Sequence, residues 1–440
     1  MKHGPYVSVI GLGFGDCGKG RFVDDLCPLL GARTVVRYNG GAQAGHNVVL
    51  PDGRHHVFSS FGAGSFHPGV ATLLASPVVV EPLGLLREAA ALAEKGAADP
   101  LGRLTIDQRC RVTTPYLRAA GRLRELVRDQ THGSCGIGFG ETVRLSIDAP
   151  ELSLAYGELA EPRIARAKLQ AQREKLEAEL RGLPPTERTQ GELDLLADEQ
   201  LAERWLEVIA ELVARVPAAR REQVASQLAF GGAIFEGAQG MLLDEDHGFH
   251  PHTTWSSIGP EAAEAVLQDA GIQAEMRHLG ALRTYPTRHG EGPFPSEDPA
   301  LDHLAEPHNA SAGWQGKFRR GHPDLVLLRY ALEAAGKITG LLASHLDAFG
   351  RGANLRWCEA YETGQGTLAD LPRAAEPDLN HQQMLTGLLR EARPKNGGRP
   401  IADFRQWLDE METLFPLQPI LLGSHGPERG RYRPFRRLPF

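Results

Sequence analysis

A glycine-dense turn set between an apolar run and an amphipathic segment constrains the start of this chain more than any other feature. Tyr6-Val-Ser-Val-Ile10 reads as a strand, Gly11 to Gly20 as a loop, RFVDDLCPLL as a helix and Thr34-Val-Val-Arg-Tyr38 as a second strand. Strand, loop, helix and strand in that order open a parallel α/β sheet, because parallel neighbours need a crossover connection. Further apolar runs bounded by turn residues recur at 71–80, 233–236, 340–346 and 419–422, each beside helical stretches. Between 160 and 216 the composition shifts to Ala, Leu, Glu, Arg and Gln with apolar residues at helical spacing, which reads as an inserted helical subdomain with solvated polar faces. Gly/Pro/His-rich stretches at 285–323 and 425–434 read as loops, the first as mobile substrate loops.

The loop has a definite chemistry. Gly13-Phe-Gly15-Asp16-Cys17-Gly18-Lys19-Gly20 follows a strand and opens a helix, so its backbone N–H groups converge where an anion is stabilised. Gly13, Gly15 and Gly18 also satisfy the dinucleotide pattern G-x-G-x-x-G. That reading needs an acidic residue at the end of the second strand to take ribose hydroxyls, and the strand ends Arg37-Tyr38-Asn39-Gly40. An NAD-dependent oxidoreductase is disfavoured on that ground. Lys19, at the spacing of G-x-x-x-x-G-K, instead resembles the lysine of a phosphate loop. Gly20 stands where such loops carry the Ser or Thr that holds Mg²⁺, which disfavours a GTPase switch and leaves Asp16 as the oxygen ligand at hand. Taken alone, Asp16 reads as a helix cap. The expected fold is α/β: one elaborated domain over 1–440 with a mostly parallel central sheet of P-loop-like type, helices on both faces and the helical insertion at 160–216.

A second turn, Gly40-Gly41-Ala42-Gln43-Ala44-Gly45-His46-Asn47, follows the next strand. Both turns lie at carboxyl ends of parallel strands, the edge at which open α/β sheets bind ligands. Asp16 and His46 are thus expected to face one cleft, as acid and base for a proton transfer coupled to phosphoryl transfer.

Composition narrows the partners. The 440 residues are 42% hydrophobic, enough for a sizeable core, and 48 Lys+Arg against 55 Asp+Glu give a net charge of −7, with no basic field for nucleic acid. Five cysteines (Cys17, Cys27, Cys110, Cys135, Cys358) without a C-x-x-C pair fit a reduced compartment and no zinc ribbon. No run approaches the length of a membrane span and the N-terminus lacks a signal-like apolar region, so a cytoplasmic location is expected.

With these residues in view, VIGLGFGDCGKGRFVDDL and TVVRYNGGAQAGHNVV resemble the N-terminal signature of adenylosuccinate synthetases. FEGAQGMLLDEDHGFHPHTT, RTYPTRHGEGPFPSE, GLLASHLDAFG and GSHGPERGR agree in order along nearly the whole chain. The resemblance implies a ligase that uses GTP and Mg²⁺ to join L-aspartate to the 6-position of IMP through a 6-phosphoryl intermediate. It implies Asp16 as the base that removes the purine N1 proton and as a metal ligand, with the Gly45 carbonyl as second ligand. His46 becomes the acid that stabilises charge on the phosphates, and Lys19 the phosphate-neutralising cation. Gly15, Gly18, Lys19, Gly20 and His46 fall to the GTP phosphates. Asp347, with His345, Ser424, Gly426 and Pro427 around it, falls to the guanine, since a carboxylate matches the N1–H and N2–H₂ donor pair. Gln43 and Gln239 fall to the acceptor purine, Thr254 and Arg144 to its 5′-phosphate. The arginine matching Arg144 comes from a second subunit, so a homodimer is implied.

The chain also departs from the family. Cys17 replaces a usual Glu, Gln43 a usual Asn, and His345 a usual Lys beside the guanine. The stretch Thr131-His-Gly-Ser134-Cys135-Gly-Ile-Gly138 replaces T-T-G-R-G-I-G, with Ser134 the candidate phosphate ligand. The aspartate loop T-T-G-R-R-R-R appears as Ser311-Ala312-Gly313-Trp314-Gln315-Gly316-Lys317-Phe318-Arg319-Arg320, leaving Arg319 and Arg320 to hold a dicarboxylic amine and Trp314 either to stack on ligand or to close the loop. Alternatives on the same residues are a paralogue using another purine nucleotide or amine donor, and a non-catalytic GTP-binding regulator. The retained Asp16 disfavours the phage group that makes 2-aminoadenylosuccinate.

Overall fold

The computed structural model describes residues 4–43, 45–128, 134–306, 314 and 316–438. Nine strands form one sheet: β1 (Tyr6–Gly11), β2 (Ala32–Arg37), β3 (Ala71–Leu74), β4 (Leu104–Ile106), β5 (Gly232–Glu236), β6 (Met276–Arg283), β7 (Ile338–Ser344), β8 (Ile420–Ser424) and β9 (Tyr432–Pro434). Their spatial order is β9-β8-β7-β6-β1-β5-β2-β3-β4, and every pairing is parallel except the edge pair β8–β9. All six residues of β1 are buried, as a continuous apolar run requires when helices cover both faces.

The phosphate-loop expectation is met in form: β1 leads through Gly18, at φ 80°, into α1 (Lys19–Leu30) and then β2. The chain then places β5, from far along the sequence, between β1 and β2. The turns after β1, β5 and β2 therefore lie side by side on one sheet edge. The apolar runs read at 71–80, 340–346 and 419–422 become β3, β7 and β8, the first shorter than its run.

After α2 (Phe139–Asp148), the segment from 160 to 216 forms α3 (Pro162–Leu180), α4 (Gln190–Ala197) and α5 (Leu201–Arg215). Ala165, Leu169, Leu176 and Leu180 of α3 and Trp205, Ile209 and Leu212 of α5 are buried in the same apolar cluster as Val7, Phe22 and Leu85. A hairpin of Thr287–His289 and Phe318–Arg320 stands beside the sheet edge that carries the turns. No helix among the described residues is long and apolar enough to cross a membrane.

Candidate active site

The loop after β1 is shaped by residues in the left-handed region: Gly15 (φ 95°), Asp16 (φ 42°) and Gly18 (φ 80°). Asp tolerates that region better than most side chains. Lys19 folds back and donates from Nζ to the Gln239 carbonyl at 2.5 Å, which ties the turn after β1 to the turn after β5. Asn39 makes the next tie, accepting from the Ala238 N–H at 2.8 Å and donating to the Ser257 carbonyl at 3.0 Å. The position at which the dinucleotide reading needed a carboxylate is thus occupied by an amide that joins three loops.

Gly20 has a steric reason. A Cβ there would lie 2.6 Å from the His46 Cβ, so a phosphate-loop Ser or Thr is incompatible with this histidine packed on the helix start. His46 is buried, and its Nδ1 lies 2.6 Å from Glu236 Oε1 at the end of β5. The other carboxylate oxygen accepts from the Ala63 N–H at 3.0 Å. Burial pushes the imidazole below its ordinary value and outweighs the upward pull of Glu236. Burial pushes the Glu236 carboxyl up, but His46 and Arg37 more than reverse it. The pair is therefore a carboxylate and a neutral ring whose Nδ1–H is donated, leaving Nε2 as a bare lone pair.

Asp16 has its own partner. His289 Nε2 lies 2.9 Å from Asp16 Oδ2, close but off the line of an ideal hydrogen bond, so this buried oxygen keeps unused acceptor capacity. Burial raises the Asp16 carboxyl; the His289 contact and the Arg283 and Lys19 charges pull it down further, and it stays below its ordinary value. Arg283, at the end of β6, donates to the Asp16 carbonyl at 2.9 Å and is ion-paired to Glu306. Lys19 thus lies between the two groups: its charge acts on the Asp16 carboxyl and on the His46 ring alike.

Two amides flank the turn after β2. A Cβ on Gly40 would come within 3.1 Å of the Gln239 amide and one on Gly41 within 3.0 Å of the Gln43 amide. Both Gln43 polar atoms and Gln239 Oε1 are buried without a hydrogen-bond partner among the described residues. Buried polar atoms left unpaired cost free energy, and a ligand's donors and acceptors would relieve that cost. Thr254, whose N–H is held by the Leu243 carbonyl at 2.8 Å, sits in the 243–258 loop that is pinned to this turn by the Gly40 N–H to Ser256 Oγ bond at 3.1 Å.

At the ends of β7 and β8 a second cluster forms. Asp347 lies on the turn after His345, 3.6 Å from Arg351, and its Oδ1 is buried without a partner among the described residues. The Asp347 charge acts on Arg21 of α1 and on His425, and Arg21 donates to the Gly426 carbonyl, so the Ser424–Pro427 turn and Asp347 share one surface. His345 sits at φ 63° with Nδ1 2.8 Å from Ser344 Oγ; burial and the Arg283 charge push the ring down to about 3, so it offers a neutral face. A Cβ on Gly18 would meet Ser344 at 2.9 Å, which joins this cluster to the phosphate loop.

Other expected residues lie apart from this edge. Arg144 projects from α2 and is engaged by Glu141, Asp148 and Glu179 of its own chain. Ser134 accepts from the Gly136 N–H at 3.2 Å in the turn leading to α2, whereas 131–133 lie outside the described residues. Trp314 closes over that turn: a Cβ on Gly136 would meet its ring at 2.8 Å, and the Arg122 guanidinium stands 5.4 Å from the ring centroid. Arg319 and Arg320 are strand neighbours, so their side chains leave on opposite faces. Arg319 binds Glu297 at 2.8 Å and the Gly292 carbonyl, and Arg320 the Leu304 carbonyl and Asp302. Ala44, Ser311–Gly313 and Gln315 lie outside the described residues.

Glu236, His289 and Arg283 escape a reading by spacing because fold topology alone brings them to His46 and Asp16. The sequence signals were present: Glu236 is the acidic residue of FEGAQG and His289 the histidine of TRHGEG.

For a divalent cation the donor set is sparse. Among the described residues no group of three or more His, Cys, Asp or Glu side chains is placed to hold one. A magnesium ion needs fewer, since it takes one or two carboxylates and completes its shell with phosphate and water oxygens. Asp16, ionised and with acceptor capacity to spare, fits that role.

Comparison with known proteins gives one answer. The family model for adenylosuccinate synthetase matches residues 8–387. The adenylosuccinate synthetase of Azotobacter vinelandii is 35% identical over 438 residues, covering 97% of each chain, and that of Vibrio cholerae 30% over 440 residues with the same coverage. Among solved structures, fully ligated adenylosuccinate synthetase from Plasmodium falciparum superposes with a TM-score of 0.75 at 18% identity, covering 98% of this chain and 100% of that one. A cyanophage S-2L succinoaminodeoxyadenylate synthetase bound to dGMP and dATP gives 0.62 at 16% identity, covering 98% of this chain and 96% of that one.

Proposed function

The chain belongs to the adenylosuccinate synthetase family of C–N bond-forming ligases, which use GTP and Mg²⁺, and from that premise we propose that it joins L-aspartate to C6 of IMP through a 6-phosphoryl intermediate. The observation that carries the reading is the convergence on Lys19 of an ionised carboxylate, Asp16, and a carboxylate-oriented imidazole, His46.

A lactam oxygen is a weak nucleophile until N1 loses its proton. Asp16, held ionised, takes that proton, and charge moves to O6, which attacks the γ-phosphorus of GTP. Lys19 and the N–H groups of Gly15–Gly20 neutralise the phosphates in place, which is most of what phosphoryl transfer asks of a protein. His46 presents Nε2 to the phosphates, and Glu236 stabilises any positive charge the ring acquires as the polyanion arrives. Magnesium, bound through Asp16 and the Gly45 carbonyl, supplies charge neutralisation on the phosphates. The phosphorylated O6 then leaves as the amine adds to C6.

Asp347 reads the guanine donor pair, with Ser424, Gly426, Pro427 and the neutral face of His345 around it. Gln43 and Gln239 receive the acceptor purine, and Thr254 and Ser134 its 5′-phosphate. Arg144 completes the phosphate site of a second copy in a homodimer, exchanging its own-chain carboxylates for the phosphate. Arg319 and Arg320 hold the dicarboxylic amine.

Phosphate release tests the reading. It should require GTP, IMP and L-aspartate together, when acceptors (IMP, GMP, dGMP) and amino acids are varied one at a time. Asp16→Ala should abolish turnover with GTP affinity kept. Release independent of the purine, or unchanged kcat in Asp16→Ala, would remove it.

A further inference from the structure

Resting on that reading, we infer that His289 orients the attacking amine at C6, acting as a positioning residue for the second half of the reaction. Cross-strand pairs of the hairpin are Thr287 with Arg320, Arg288 with Arg319, and His289 with Phe318, so His289 shares a face with Phe318, whose ring centroid is 4.7 Å away, and not with Arg319. That face turns toward the phosphate loop, since His289 Nε2 reaches within 2.9 Å of Asp16 Oδ2.

The tautomer follows from the partner. An ionised carboxylate offers only lone pairs, so the nitrogen facing it at this distance carries the proton, and in a neutral imidazole the other nitrogen is then a bare acceptor. That nitrogen, Nδ1, is buried and has no hydrogen-bond partner among the described residues. It needs a donor.

The reaction brings one there. N1 and C6 are bonded neighbours, so a nucleophile that attacks C6 approaches beside the carboxylate that accepted the N1 proton. Once N1 is deprotonated and O6 phosphorylated, that edge of the purine carries acceptors only, and the N–H groups of the amine are the donors at hand. An N–H given to His289 Nδ1 turns the nitrogen lone pair toward C6. The C6–N bond forms, the C6–O6 bond breaks, and the surplus proton on nitrogen leaves with the departing phosphate; His289 keeps its protonation throughout. Arg320, on the same face, is occupied by the Leu304 carbonyl and Asp302, which leaves His289 as the hairpin group nearest the reacting carbon.

Two variants separate the contacts. His289→Gln keeps an amide donor near the Nε2 position and loses the acceptor at Nδ1; His289→Asn keeps an acceptor near Nδ1 and loses the reach to Asp16. The first half-reaction is read by scrambling of oxygen-18 from the β,γ-bridge of GTP with IMP present and no amine, and the second by steady-state turnover against L-aspartate. For His289→Gln, scrambling within about twofold of wild type is expected, with kcat/KM for L-aspartate at least tenfold lower. His289→Asn should retain more of the aspartate kcat/KM than of the scrambling rate. Unchanged aspartate kcat/KM in His289→Gln, or a fall matched by equal loss of scrambling, would overturn the inference. Absence of scrambling in the wild-type protein would instead overturn the ligase reading beneath it.

Discussion

Replacing Glu236 by Gln keeps size and shape while removing the charge behind His46, and the structure fixes how the site must respond. The carboxylate accepts from two donors at once, the His46 ring at 2.6 Å and the Ala63 N–H at 3.0 Å, in a wholly buried position. A glutamine has one oxygen for two donors. The backbone N–H has no alternative, and leaving it unpaired costs about 1–3 kcal/mol. The imidazole can move its proton from Nδ1 to Nε2 at little cost, so the amide oxygen turns to Ala63, its NH₂ faces Nδ1, and Nε2 becomes a fixed donor. Fold stability is then nearly unchanged, but the charge-assisted bond that stabilises a positive ring, about 1.5–3 kcal/mol, is lost from the transition state. At 1.36 kcal/mol per tenfold, kcat should fall by about ten- to 150-fold. The assay is phosphate release at saturating GTP, IMP and L-aspartate, with GTP affinity by calorimetry and the melting temperature as controls, both expected to hold. A well-folded Glu236→Gln protein with kcat within twofold of wild type would show that Glu236 does not set the state of His46, or that His46 takes no part in the chemistry.

Gly20→Ala places a methyl 2.6 Å from the His46 Cβ; it should cost about 1–3 kcal/mol of stability through overpacking and depress kcat more than GTP affinity, in denaturant unfolding and turnover together. Asp347→Asn presents one donor where the guanine offers two, so kcat/KM for GTP should fall at least tenfold while that for ATP is little changed; equal losses for both would clear Asp347 of base recognition. Asp324, whose side chain accepts from the Leu327 N–H and from the Tyr361 hydroxyl, is raised by burial from 3.8 to about 6. A raised carboxyl means the folded state binds the proton more tightly, so this group's penalty is complete above about pH 6 and is relieved as pH falls toward 4. The size is about 3 kcal/mol, and Asp324→Asn should flatten the stability profile across that interval by a comparable amount.

The parts of this site that could be read from sequence are those in which function and local geometry share one segment. Gly13–Gly20 announces a strand, a turn and a helix start, and the missing carboxylate after β2 excludes a dinucleotide site because both facts are local. Gly20 was legible as a departure but not as a cause: the missing hydroxyl is required by the His46 side chain, which reaches the helix from a different strand end. The same distinction separates Asp16 and His46 from the groups that set their states. Glu236 is 190 residues from His46, and the insertion of β5 between β1 and β2 brings them together. Spacing cannot report a strand order, whereas the motif FEGAQG reports that something at its acidic residue matters. Arg319 and Arg320 illustrate the opposite case, in which adjacency misleads: two consecutive arginines suggest one bidentate clamp, yet strand alternation sends them to opposite faces with different partners. A dicarboxylic amine gripped by both must therefore reach around the hairpin edge or draw one guanidinium from its carboxylate. Arg320, buried under the Leu304 carbonyl, is the less free to move, so Arg319→Ala should raise KM for L-aspartate without loss of fold, whereas Arg320→Ala should lower the melting temperature as well.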